Sequence, residues 1–135
     1  MIDLYCLFGN EEILMPYFMR HYSPQVDRMY MLDGRTTEKT KKIISEYPNA
    51  CIIPSPFITE EWDERIVASY KSQIYRQSRG EADWIIMVDA DEFLFANDGL
   101  ATQLDRCKRN NIFIVKTDGY QMIADELPQS DKQMT

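Results

Sequence analysis

Five short runs of the chain are apolar throughout rather than alternating: Leu4-Tyr5-Cys6-Leu7-Phe8, Met29-Tyr30-Met31-Leu32, Cys51-Ile52-Ile53, Trp84-Ile85-Ile86-Met87-Val88 and Ile112-Phe113-Ile114-Val115. Strands that read this way are covered on both faces, as in a parallel sheet. Segments of helical period separate them. Over residues 60–79, Trp62, Ile66, Tyr70 and Ile74 recur every fourth position and Gly80 follows as a stop. Over 100–109, Leu100, Leu104 and Cys107 form a stripe, with Asp98 placed to cap the start and Arg106, Lys108 and Arg109 suited to the dipole end. Residues 38–47 carry Ile43, Ile44 and Tyr47 behind a Thr37 cap. Residues 11–22 read as a helix that Pro16 either opens or kinks.

The order β-α-β-α-β-α-β-α-β predicts one domain over residues 1–135: a three-layer α/β/α fold with a mostly parallel, Rossmann-like sheet and right-handed crossovers. The loop Pro54–Thr59 carries two prolines that resist helix and central strand, and residues 127–135 are polar.

Composition narrows the function. Hydrophobic residues make up 44% and charged residues 27%, as in an ordinary globular domain. Fifteen Lys and Arg against 22 Asp and Glu give a net charge of -7, which argues against nucleic acid and anionic membranes as partners. No apolar run has the length of a membrane span and no signal-like leader opens the chain. Cys6, Cys51 and Cys107 are odd in number and lack a CxxC spacing, which predicts free thiols and a cytoplasmic location. His21 is the one histidine, so a multi-His metal site is excluded.

Ligands of open α/β sheets bind outside the carboxyl ends of the strands, so the residues that follow each strand matter most. Gly9-Asn10-Glu11-Glu12 follow the first run, Asp33-Gly34-Arg35-Thr36-Thr37 the second, and Asp89-Ala90-Asp91-Glu92-Phe93 the fourth. A carboxylate at a strand end often serves only a turn or a cap, a reading open for Glu11, Glu12 and Asp33. Asp89, Asp91 and Glu92 crowd three negative charges into four positions. At an effective dielectric of ~20 and ~5 Å each like pair costs on the order of 3 kcal/mol. A divalent, oxygen-seeking cation such as Mn²⁺ or Mg²⁺ reverses the sign of that term and draws phosphate oxygens to the cluster. The five glycines are isolated and form neither GxGxxG nor GxxxxGK[ST], so a phosphorylated ligand would be held through a metal. Lys71, Arg76 and Arg79 give their helix a basic face, read as solvated surface or as a pyrophosphate contact. His21 reads as a cation at a helix end, and the eight methionines as core filler.

Together these turns resemble glycosyltransferase family 2, of the GT-A fold. The carriers are Asn10-Glu11-Glu12 after the first strand, Leu32-Asp33-Gly34-Arg35-Thr36-Thr37-Glu38 at the place of an Asp-rich turn, Arg79-Gly80-Glu81-Ala82-Asp83-Trp84 leading into a strand that ends in Asp89-Ala90-Asp91-Glu92-Phe93, and Gly119-Tyr120-Gln121-Met122 further on. The resemblance runs from about residue 3 to residue 128. It implies a UDP- or GDP-linked sugar donor, a glycan or other acceptor, and Mn²⁺ or Mg²⁺. By position Asp91 would ligate the cation, Asp89 the ribose or the metal, Asp33 the base, and Asn10, Glu11 and Glu12 would line the nucleoside pocket. Ser72 stands where relatives often carry Asn. The family's acceptor-side half, which supplies the catalytic base, is expected to be missing; Asp118, Asp125 and Glu126 are candidates by position alone. Two other readings stay open. One is a non-catalytic nucleotide or metal-binding module or fragment, whose open sheet edge allows a homodimer. The other is a haloacid-dehalogenase-type phosphatase, although Phe93 fills the place where that family wants Thr or Val and the motif comes late in the chain.

Overall fold

The computed structural model describes residues 1–56 and 63–121. Its elements are β1 (Ile2–Phe8), α1 (Met15–Tyr22), β2 (Arg28–Asp33), α2 (Glu38–Ser45), β3 (Ala50–Pro54), α3 (Glu64–Ile74) continued by a 3-10 turn Tyr75–Ser78, β4 (Trp84–Asp89) and α4 (Leu100–Arg109). The four strands form one all-parallel sheet in the order β3-β2-β1-β4. The fold is thus α/β and Rossmann-like, with helices on both faces.

Side chains alternate strictly across the sheet. Leu4, Cys6, Phe8, Met29, Met31, Ile86 and Val88 join Met15, Phe18, Met19, Tyr22, Ile44 and Leu100 in the main core, so α1, α2 and α4 cover one face. Tyr5, Leu7, Leu32 and Met87 meet Val67, Tyr70 and Ile74 on the other, beneath α3. This division follows from the topology. The chain steps outward from β1 through β2 to β3 over one face, then returns past β1 to β4 over the other, as right-handed crossovers demand. Every residue of β1 is buried, which is why its run is uninterruptedly apolar. The exception is Asp3, at 0% exposure, which accepts from Arg28 Nε (2.9 Å), Arg28 Nη2 (2.7 Å) and Ser78 Oγ (2.5 Å).

Local signals explain most boundaries. Pro16 sits in the first turn of α1 and so opens it rather than kinking it. Thr37 caps α2 by accepting from the Thr40 N–H. Arg106, Lys108 and Arg109 occupy the last turn of α4. That helix ends in a Schellman arrangement: Asn111, at φ 57°, donates to Lys108 O (3.1 Å), and Ile112 N–H to Cys107 O (2.9 Å).

Three expectations are corrected. Ile112-Phe113-Ile114-Val115 form no strand; Phe113 is 76% and Ile114 89% exposed. α4 lies on the same face as α1 and α2, so a parallel strand beyond β4 could be reached from it only through a left-handed crossover, which sheets avoid. Asp98 does not cap α4. Gly99, at φ 82°, takes the N-cap position, Asp98 pairs with Arg106 (2.7 Å), and Gln25 Oε1 accepts the Leu100 N–H (3.4 Å). The packed stripe of α3 is Val67, Tyr70 and Ile74, and Ile66 is exposed. Trp62, part of the Pro54–Thr59 loop and the tail at 127–135 lie outside the described residues, and Gly119-Tyr120-Gln121 is exposed and irregular.

Candidate functional site at the strand-order reversal

The chain reverses direction across the sheet between β1 and β4, and the carboxyl ends of these two strands lie side by side: Leu7 is in register with Asp89. β2 flanks β1 on its other side, with Phe8 opposite Asp33. The turns after β1, β2 and β4 therefore share one rim at the switch point, the place where doubly wound sheets take their ligands.

The first two turns are fastened together. Gly34 N–H donates to Phe8 O (2.8 Å) and Thr36 Oγ1 to Gly9 O (2.7 Å). A Cβ on Gly34 would stand 3.0 Å from Phe8 O, so the absence of a side chain permits this approach. Arg35 next to it takes a left-handed φ of 73°. Asp33 is 5% exposed; its Oδ1 accepts the Thr36 N–H (2.9 Å) and its Oδ2 faces Lys41 Nζ (3.4 Å). A nucleobase there would share these oxygens or replace Lys41. Glu12 accepts from Thr37 Oγ1 (2.8 Å) and faces Lys39 (3.5 Å), and the threonine hydrogen bond in the first place holds its carboxyl below the ordinary value. Asn10 is exposed at the tip of the turn and Glu11 half-buried beside it.

The third turn is closed by Glu92, whose Oε2 accepts the Asp89 N–H (2.9 Å) while its own N–H donates to Asp89 O (3.0 Å). Glu92 thus serves the backbone. The Asp89 side chain accepts directly from Lys71 Nζ, reached from α3. Asp91 is exposed, with no hydrogen bond or ion pair among the described residues. Beneath the rim, burial pushes the Cys6 thiol well up, and Asp89, Glu11 and Asp91 act on it in the same direction against Lys71.

The segment beyond Asp91 is pinned to α1. The Tyr22 hydroxyl donates to Glu92 O (2.9 Å) and accepts the Leu94 N–H (2.7 Å), and the His21 Nε2–H donates to Leu94 O (2.8 Å). Phe93 lies against Phe18, His21 and Tyr22. The single histidine is a brace for this turn.

Asn10, Glu11, Glu12, Asp33, Asp89 and Asp91, expected on one rim, lie in or beside the three turns that share it. The His21–Tyr22 brace has no sign in the sequence pattern, and Lys71, by sequence a solvated face or a pyrophosphate contact, pairs with Asp89. The D-x-x-E spacing of Asp89 and Glu92, a capping-box-like signal, could have revealed the closed turn. Among the described residues no three His, Cys, Asp or Glu side chains converge as a metal cage. A Mg²⁺-type ion takes as few as one or two protein carboxylates and completes its shell with phosphate oxygens and water. Asp89 and Asp91 are oxygen donors of that kind. A cleft of about 620 Å³ lies beside α3, between Pro56 and Ile66, Ser69, Tyr70 and Gln73, and none of the rim carboxylates lines it.

No protein-family model matches the chain, and no curated protein matches it in sequence. No helix among the described residues is long and apolar enough to cross a membrane.

Proposed function

We propose that this domain binds a nucleotide-diphospho-sugar together with Mn²⁺ or Mg²⁺ at the β1/β4 rim, as the donor-binding part of a GT-A-type glycosyltransferase. One observation carries the reading: acid-bearing turns from three strands share the switch point, and Asp91 stands exposed there with no hydrogen bond or ion pair among the described residues. An exposed carboxylate two residues from Asp89 is open to a cation from solvent. The pairing of Asp33 with the turn at Thr36 gives the nucleoside side of the rim a fixed shape. Asp89 and Asp91 would hold the ion, which when bound offsets the charge that gathers on the diphosphate as the sugar–phosphate bond breaks. Asn10, Glu11, Glu12 and Asp33 would line the nucleoside. The reading assigns no catalytic base: Asp118 lies in the exposed segment after α4, and Asp125 and Glu126 lie outside the described residues.

Calorimetry with UDP and GDP, each with and without Mn²⁺, tests the reading. Nucleotide affinity should rise with the metal, and Asp91→Asn should lower the metal-dependent affinity by at least about tenfold while leaving the circular dichroism spectrum unchanged. Equal affinity in the presence and absence of Mn²⁺ would exclude this function. Turnover of UDP- or GDP-sugar with Mn²⁺ separates an enzyme from a binding module.

A further inference from the structure

We propose that residues 112–115 of one copy add as a strand to the free edge of β4 in a second copy, the two chains exchanging these segments reciprocally in a two-fold dimer.

Backbone donors define the edge. The Trp84 N–H donates to Met1 O (3.2 Å), so by the two-residue period of a strand Trp84, Ile86 and Val88 turn their backbone groups toward β1. Those of Ile85, Met87 and Asp89 turn away from it, and β4 is the last strand on its side of the sheet. Asp89 is already served, because Glu92 Oε2 accepts its N–H and the Glu92 N–H donates to its carbonyl. Ile85 and Met87 are left. Their outward N–H and C=O groups have no partner among the described residues, and the Ile85 side chain is exposed beside them.

The segment after α4 is the counterpart. Ile112, Phe113, Ile114 and Val115 are all exposed, and three of the four are β-branched, with no proline or charge among them. A run that is apolar on both faces needs cover on both, and β4 lies between the layers of α4 and α3. Its own sheet cannot supply that place. A parallel strand beside β4 would need the left-handed crossover that the position of α4 imposes. An antiparallel one would start at the Asp89 end of β4, about 17 Å from the other end. α4 ends at that other end, where Lys108 pairs with Asp83 (2.6 Å), and only Asn110 and Asn111 intervene.

Charge complements shape. β4 stands between Glu81 and Asp83 on one side and Asp89 and Asp91 on the other, whereas the segment stands between Arg109 and Lys116. Neither cation has an ion pair among the described residues. Six residues separate them, against five between Asp83 and Asp89, so in either strand direction each cation falls near an acid. Such rim pairs fix register more than they add affinity. Each chain carries both the edge and the segment, so a two-fold axis makes the two exchanges equivalent and the assembly closes at two copies.

Sedimentation of the whole chain over a dilution series, with hydrogen exchange read at single amides, tests the exchange. The native chain should form a dimer that dissociates on dilution. The Ile85 and Met87 amides should be protected in the dimer and exchange at least about tenfold faster in the monomer. Phe113→Asp combined with Ile114→Asp puts a carboxylate on each face of the added strand and should weaken dimerisation by at least about tenfold. The circular dichroism spectrum of that variant should be unchanged, because both side chains are exposed before association. A native chain that stays monomeric up to about 1 mM overturns the proposal, and protected Ile85 and Met87 amides in that monomer would assign the edge to another part of the same chain. A dimer that the double substitution leaves equally tight also overturns it, since the interface then lies elsewhere. No nucleotide or metal enters these measurements, so their outcome is independent of the donor-binding reading.

Discussion

At the scale of single residues, Asp3 shows what a parallel sheet demands of a charge that it buries. Its carboxylate has no access to water, and it is supplied instead by two nitrogens of Arg28 and by Ser78 Oγ. The Tyr5 hydroxyl donates in turn to Ser78 Oγ (2.5 Å). Arg28 continues to Glu81 (2.8 Å) and lies over the Tyr30 ring, which stacks on Tyr5. The network joins β1, β2 and the 3-10 turn below α3, the thinner of the two layers. Removing one member leaves the others desolvated and unpaired, which costs more than the pair contributes. Asp3→Ala should therefore lower stability by about 2–4 kcal/mol, read as a fall in the urea midpoint with the slope unchanged. A loss below about 0.5 kcal/mol would mean that water replaces the carboxylate.

At the scale of elements, the question is how α1 holds a turn some seventy residues away in the chain. Tyr22 gives its hydroxyl to both Glu92 O and the Leu94 N–H, so one oxygen spans the turn that presents Asp91. Tyr22→Phe keeps the packing against Phe18 and Phe93 and deletes only those two bonds. The expected cost is about 1–3 kcal/mol, and hydrogen exchange at the Leu94 amide should accelerate by at least about tenfold; an unchanged exchange rate would show that Phe93 and His21 suffice. The same segment shows what could be read in advance. The apolar run Trp84–Val88 followed by Asp89 marks a strand with acids at its carboxyl end, although at the sheet edge only Ile86 and Val88 of it are buried and Ile85 is exposed. Val67, Tyr70 and Ile74 share a helical face as well as the reading with Ile66 does, so the rotation of α3, and with it the aim of Lys71, had no unique local signal. Ile112–Val115 look like any other strand; what denies them a place in the sheet is the face on which α4 packs, a non-local fact. Asp98 has the side-chain oxygen that a cap wants, whereas Gly99, which takes the N-cap position, has no side chain to announce it.

For the molecule as a whole, the ends of the pH range are governed by different groups. Asp83 at the mouth of β4 accepts from Lys108 at the end of α4 and from the Met1 ammonium, both at 2.6 Å. The Lys108 hydrogen bond above all lowers its carboxyl from 3.8 to about 2. Arg65 lowers Asp63, and Thr37 lowers Glu12. A carboxylate held down in the folded state binds fewer protons there than in the unfolded chain, so its stabilisation is complete above the unfolded value and disappears as the pH falls toward the folded one. Burial works in the other direction for the Tyr22 phenol and the Cys6 thiol, both pushed up, so the folded chain resists their ionisation and loses stability as alkali ionises them in the unfolded chain. The acid side offers the cleaner experiment, because Asp83 tethers α4 to the sheet without belonging to the core. Asp83→Asn should flatten the decline of stability between about pH 4 and pH 2 and leave the alkaline side as it is, measured by urea unfolding at a series of pH values. Lys108→Met removes the same contact from the cationic partner and should flatten the same window. If the two variants retained the native slope there, the acid sensitivity would have to be assigned to Asp63 and Glu12, and the link between α4 and the mouth of β4 would be a surface contact of no consequence for folding.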